Sequence, residues 1–145
     1  MCAAFLGEKI RNILLKSKNI AIVGLSADAK RPSNMVARYL KDHGYKIIPV
    51  NPSATEILSE KCYPDLKSVP ERVDIVNVFR NSADVPPIVA DAIDINAKCI
   101  WLQLGVSNVA AEAAAEQRGI IVISNKCIKI EHQAMNLSES PSSSL

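Results

Sequence analysis

The stretch Ile20-Ala21-Ile22-Val23-Gly24-Leu25-Ser26-Ala27-Asp28-Ala29-Lys30-Arg31-Pro32-Ser33 decides how the rest of the chain is read. Residues 19–23 form a short apolar run that ends at Gly24, the pattern of a strand buried on both faces. A polar loop with two adjacent cations, Lys30 and Arg31, follows before Pro32 and Ser33 open a helix. Ser33 is the expected cap of that helix, over 34–43, with Met35, Val36, Tyr39 and Leu40 on one face. The loop occupies 24–32, longer than the roughly 2–6 residues usual between a strand and a helix. Such length is expected where a loop serves a ligand; a plain connection would only leave its cations solvated.

The same alternation continues along the chain. Before the first strand, Leu6, Ile10, Ile13 and Leu14 share one face of an amphipathic leading helix over 1–16. After it, apolar runs at 46–50, 73–79, 98–104 and 120–124 read as four more strands. Helices are predicted after Pro87, carrying Ile88, Val89, Ala92, Ile93 and Ile95, and over 108–118. Residues 56–70 read as irregular, and 133–145 as a short terminal segment with a disordered Ser-rich tail. Ile/Val strands alternating with helices predict an α/β domain over 17–132: a doubly wound, mainly parallel five-stranded sheet with helices on both faces. Ligands of such sheets lie beyond the carboxyl ends of the strands. That rule gathers residues 24–33, Asn51 and Pro52, Phe79 and Arg80, 103–107 and 125–127.

Composition narrows the function. Lys+Arg number 17 against 15 Asp+Glu, and aromatics are 4 %, which argues against nucleic-acid binding. No apolar run approaches the roughly 20 residues of a membrane helix. The four cysteines, Cys2, Cys62, Cys99 and Cys127, show no metal-ligand spacing, so no metal is expected. Cys99 falls mid-strand; Cys2 and Cys62 fall in expected surface segments. Scattered thiols of this kind suit a reducing compartment, and a cytoplasmic location is expected.

The loop has the parts of an anion site. A helix start offers unpaired N–H groups and a favourable dipole, here from Ser33 and Asn34. Gly24 permits close approach, Ser26 offers a hydroxyl, and Lys30 and Arg31 offer charge. A lone glycine does not make the three-glycine pyrophosphate turn of dinucleotide domains. The second strand ends Pro49-Val50-Asn51-Pro52, without the carboxylate that holds the ribose of NAD. A neutral strand end beside cations suits a ribose bearing an extra phosphate, as in NADP or coenzyme A.

Taken together, IAIVGLSADAKRPSNMVARYL (20–40), GYKIIPVNP (44–52), VDIVNVF (73–79), AKCIWLQLGV (97–106) and NKCIKIEH (125–132) resemble the small stand-alone CoA-binding proteins. Their domain is similar to the nucleotide-binding domain of the succinyl-CoA synthetase alpha subunit. The resemblance implies a Rossmann-like domain that binds CoA or an acyl-CoA along the carboxyl edge of its sheet. It places the phosphates against 24–33, with Gly24, Ser26, Lys30, Arg31, Pro32 and Ser33. It places the adenosine end near Asn51, Pro52, Val78, Phe79 and Arg80, and the pantetheine arm toward Gln103 and Gly105. Larger relatives carry a phosphorylated histidine in a second domain, for which 145 residues leave no room, so ligase activity is not carried over.

Two enzymatic readings stand beside simple binding. Cys127, near Lys126, Lys129 and His132, is a candidate thiolate for CoA-processing chemistry; the alternative is a small residue packed under the terminal segment, with Glu131 and His132 solvated. An NADP-linked oxidoreductase is the other, but Tyr39, Tyr45 and Tyr63 show no Tyr/Lys proton-donor arrangement. His43, beside Gly44, reads as a helix-end residue and Trp101 as core. The expected function is a non-catalytic binding or regulatory module for CoA, with any protein partner left open.

Overall fold

The computed structural model describes residues 3–143, with side chains for 6–135. In chain order the elements are α1 (Ala3–Lys16), β1 (Asn19–Val23), α2 (Pro32–Asp42), β2 (Lys46–Val50), β3 (Glu56–Ile57), β4 (Glu60–Lys61), β5 (Ile75–Val78), α3 (Val85–Asp94), β6 (Cys99–Leu102), α4 (Val109–Gln117), β7 (Ile121–Ile123) and α5 (Ile128–Ser143). Short 3-10 turns cover Leu66–Ser68 and Ser82–Asp84.

Successive side chains of a strand point to opposite faces, so an apolar run with no polar alternation needs cover on both sides. Ala21 and Val23 join one core with residues of α3, α4 and the Leu66–Ser68 turn. Ile20 and Ile22 join the other with α1, α2 and the start of α5. The five-stranded sheet has the order β2-β1-β5-β6-β7, and every pairing in it is parallel. This is the doubly wound, Rossmann-like α/β architecture. The direction of winding reverses between β1 and β5, which puts the switch point at the ends of those two strands.

β2 is an outer strand, and this accommodates Pro49, which lacks the N–H a central strand requires. Its edge is covered near the carboxyl end: Tyr63 N–H donates to Pro49 O at 3.0 Å, and Asn51 N–H to Tyr63 O at 2.9 Å. That return follows the small β3–β4 hairpin, inside the region read from sequence as irregular. It also buries Cys62, 6 % exposed, with its Sγ 3.4 Å from Asn51 O, correcting the expected surface position. Burial pushes the Cys62 thiol up. Cys99 is fully buried in β6 and pushed up to about 12 by desolvation. Cys2 lies outside the described residues.

The terminal segment after β7 is the helix α5, which packs Ile128 into the core and buries His132. Of the tail expected over 138–145, residues 138–143 form the end of α5 and 144–145 lie outside the described residues. None of the described helices is long and apolar enough to cross a membrane, and among the described residues no His/Cys/Asp/Glu cluster could hold a metal.

Candidate functional site

Three strand ends meet at the switch point and are tied by backbone hydrogen bonds. Gly24 N–H donates to Val50 O and Phe79 N–H to Val23 O, each at 2.9 Å. Gly24 has φ +89, and a Cβ built on it would lie 2.6 Å from Phe79 O and 2.8 Å from Arg80 Cδ. The glycine is therefore required by the backbone turning away from β5, not only by a ligand.

Beyond Gly24 the loop is held by its own side chains. Ser26 N–H donates to Ser33 Oγ at 3.0 Å, and Asn34 Nδ2 to Ser26 O at 2.8 Å. Asp28 N–H donates to Ser26 Oγ, and Lys30 N–H to Asp28 Oδ1. Arg38 braces the outside, donating to Asn34 Oδ1 and Ala29 O. Ser33 was the expected cap of α2, but Arg31 occupies that position, with extended dihedrals, Pro32 just inside the helix and no side-chain cap hydrogen bond. Proline at the first helical position fixes this start two residues earlier than the serine suggested. Ser33 and Asn34 are buried and point inward to shape the loop.

The uncapped start of α2 faces a hollow of about 440 Å³. Of the residues named from sequence, Gly24, Ser26, Arg31, Pro32, Ser33, Asn51 and Phe79 line it. Asn51 is oriented by donating to Leu25 O at 2.9 Å and accepting from Ser53 N–H at 2.8 Å. A second hollow of about 250 Å³ lies on the other side of the β1 and β2 ends and takes in Pro52 and Arg80. Asp65, Asp84 and Asp91 also face it, and Arg80 is engaged with Asp84 at 3.3 Å. The first hollow thus suits an anion, with Arg31 and the Ser33 N–H; the Asn34 N–H, expected to be unpaired, donates to Arg31 O at 3.1 Å. The second suits a less charged group with hydroxyls and a ring, among Pro52, Pro64, Pro87 and Ile88.

Four residues named from sequence line neither hollow. Lys30 is exposed, and Val78 is fully buried in the core. Gln103, 8 % exposed, stands at the carboxyl end of β6, and Gly105 N–H donates to Asn125 Oδ1 at 2.7 Å. Sequence reasoning passed over Ser53 and Ala54 in the first hollow and Asp65 in the second. Tyr63-Pro64-Asp65 reads as a turn within the irregular region, but nothing local shows that the turn folds back onto the sheet edge.

His132 is buried rather than solvated, and its Nδ1 lies 2.7 Å from the Tyr39 hydroxyl. Burial, and secondarily the nearby His43, lowers its pKa. His43 stacks on Tyr39 with ring centroids 4.0 Å apart. Cys127 is half-buried against the core on the α2 and α5 side. Trp101 is fully buried and donates from Nε1 to Lys126 O at 2.9 Å.

A parallel doubly wound sheet with an uncapped helix start, a cation and a hollow at its switch point is an arrangement shared by nucleotide-binding α/β domains. The chain belongs to the CoA binding domain family, whose model matches residues 18–133. It is 41 % identical over 124 residues to the uncharacterized protein YneT of Bacillus subtilis (strain 168), covering 86 % of this chain and 92 % of that one. It is 30 % identical over 116 residues to acetate–CoA ligase (ADP-forming) II of Archaeoglobus fulgidus, covering 78 % of this chain but 17 % of the ligase. A solved structure of a hypothetical protein from Pyrococcus horikoshii OT3 superposes with a TM-score of 0.87 at 37 % identity, covering 89 % of this chain and 91 % of that one.

Proposed function

We propose that this chain binds coenzyme A or an acyl-CoA at the switch point as a non-catalytic binding or regulatory module. The observation that carries the reading is the uncapped start of α2, opening on a hollow of about 440 Å³ beside Arg31. A pyrophosphate there accepts from the Ser33 N–H and takes the place of the missing cap, since Pro32 has no N–H and Asn34 N–H already donates to Arg31 O. The adenosine end then falls toward Pro52 and Arg80, and the pantetheine arm runs along the edge past Phe79 toward Gln103. Lys30 and Arg31 supply charge for the phosphates, including the one on the ribose.

Family membership and the kinship to part of a CoA ligase support the ligand class. Against thiol chemistry at Cys127 stands the engagement of His132 with Tyr39, which leaves that histidine's Nδ1 committed elsewhere. Thermal unfolding with CoA, dephospho-CoA and NADPH tests the proposal. At a ligand concentration a hundredfold above Kd, CoA is expected to stabilise by about 2.7 kcal/mol, on the order of 5–10 °C for a domain of this size. Dephospho-CoA should raise the midpoint less and NADPH little. No shift with CoA at saturating concentration sinks the reading.

A further inference from the structure

Asn77 is the anomaly of the central sheet. It sits mid-strand in β5 among Ile75, Val76 and Val78, is fully buried, and its Oδ1 has no hydrogen-bond partner among the described residues. Its Nδ2 faces two acceptors, Trp101 O at 3.2 Å and Gln103 Oε1 at 3.4 Å. A main-chain carbonyl can only accept, so Trp101 O fixes which end of the Asn77 amide points toward β6. With Nδ2 so placed, the Gln103 amide must turn its oxygen inward to meet it. Its Nε2 is then the end directed away from Asn77. Gln103 keeps 8 % of its surface exposed, at the sheet edge, with its own N–H donating to Val78 O at 3.2 Å. One step past the register pair Val78 and Leu102, it stands beside Phe79, which lines the anion hollow.

We infer that Asn77 is a positioning residue that makes Gln103 present an N–H donor at the thiol end of the site, and that this donor selects an acyl thioester through its carbonyl oxygen. The inference rests on the CoA reading above and narrows it to acyl-CoA. A free thiol is a weak acceptor, whereas a thioester carbonyl gives the Gln103 amide a partner. A buried apolar residue at position 77 would pack the strand without an orphaned oxygen, yet would leave Gln103 free to turn.

The test is titration calorimetry of the whole chain with CoA, acetyl-CoA and the thioether S-ethyl-CoA, which keeps the two-carbon group but lacks the carbonyl. Acetyl-CoA is expected to bind about three- to tenfold more tightly than either of the others, the range of one modest hydrogen bond. Gln103→Glu, nearly isosteric but without the donor, should abolish or reverse that preference. Asn77→Leu should reduce the acetyl-CoA to S-ethyl-CoA ratio toward unity while CoA itself still binds; a merely structural role would weaken all three ligands alike. If CoA binds and the wild-type chain holds acetyl-CoA and S-ethyl-CoA equally, the selection is overturned and the CoA reading stands. If none of the three binds, both fall. Should Asn77→Leu fail to fold, the wild-type ligand series and Gln103→Glu decide the matter.

Discussion

At the residue scale, Gly24 shows how a correct reading can rest on an incomplete cause. Sequence identified it as the residue that lets a ligand approach. The structure adds that its missing side chain is space needed by the backbone at Phe79, 55 positions further along the chain, since a Cβ would meet that carbonyl at 2.6 Å. No local pattern reveals a neighbour so distant. Gly24→Ala is expected to cost roughly 1–3 kcal/mol through the strained φ and the clash, and to lower ligand affinity because Phe79 and Arg80 must shift; urea unfolding gives the first and calorimetry with CoA the second. Asp74 was not singled out from sequence, because one carboxylate in an apolar run carries no sign of its partner. It accepts from the N–H groups of Lys18 at 2.9 Å and Asn19 at 3.0 Å, with Lys98 at 3.7 Å, at the start of β1. Asp74→Ala leaves both donors unpaired, and a loss of about 2–3 kcal/mol is expected in the same unfolding measurement. A loss under half that figure would mean water replaces the carboxylate freely.

At the element scale, strand and helix periods were legible and ends were not. Each of the five sheet strands was recovered within two residues at either end, because continuous Ile/Val runs bounded by turn residues leave few alternatives. The cap of α2 was misplaced, because Ser33 looks like a cap while Pro32 is even better suited to the first helical position. The β3–β4 hairpin has two-residue strands, too short for any period to register, and α5 was missed because its serine-rich end reads as coil. The uncapped α2 makes a prediction that separates stability from binding. Arg31 has the extended dihedrals of a cap but no suitable side chain. Arg31→Asp supplies one and should stabilise the free protein by about 0.5–1 kcal/mol. The same carboxylate occupies the Ser33 N–H proposed for pyrophosphate and repels it, so the CoA-induced rise in melting temperature should nearly vanish. A variant that is more stable and still responds fully to CoA would place the phosphates elsewhere.

At the scale of the molecule, the sheet separates two cores, and the one beneath α1, α2 and α5 carries a titrating contact between helices. His132 on α5 meets Tyr39 on α2, with His43 at 5.3 Å and Tyr45 at 5.7 Å between ring centroids, and Lys129 lies 5.6 Å above the Tyr39 ring. Burial, with His43 adding to it, holds the folded-state pKa of His132 below its ordinary value, so the native state favours the neutral ring. The unfolded chain therefore binds a proton first as pH falls, near about 6.5. The stability carried by the neutral ring is complete above that value and is lost as pH drops from there through the lower folded-state pKa. Asp74 acts in a more acidic window. Burial raises its pKa, but hydrogen bonds from Asn19 and Lys18 and the charge of Lys98 outweigh that and leave it lowered. Its contribution is complete above about 3.9, the ordinary carboxylate value, and is lost as pH falls through its lower folded value. Melting temperature against pH should thus decline in two stages, the first below about 6.5 and the second below about 4. His132→Gln, which cannot titrate, should flatten the first stage and leave the second, and Asp74→Asn should do the reverse. Because the proposed CoA site lies at the carboxyl edge and Asp74 at the opposite one, saturating CoA should lift the curve without removing the second stage. A first stage that survives in His132→Gln would assign the decline that begins below about 6.5 to some group other than this helix contact.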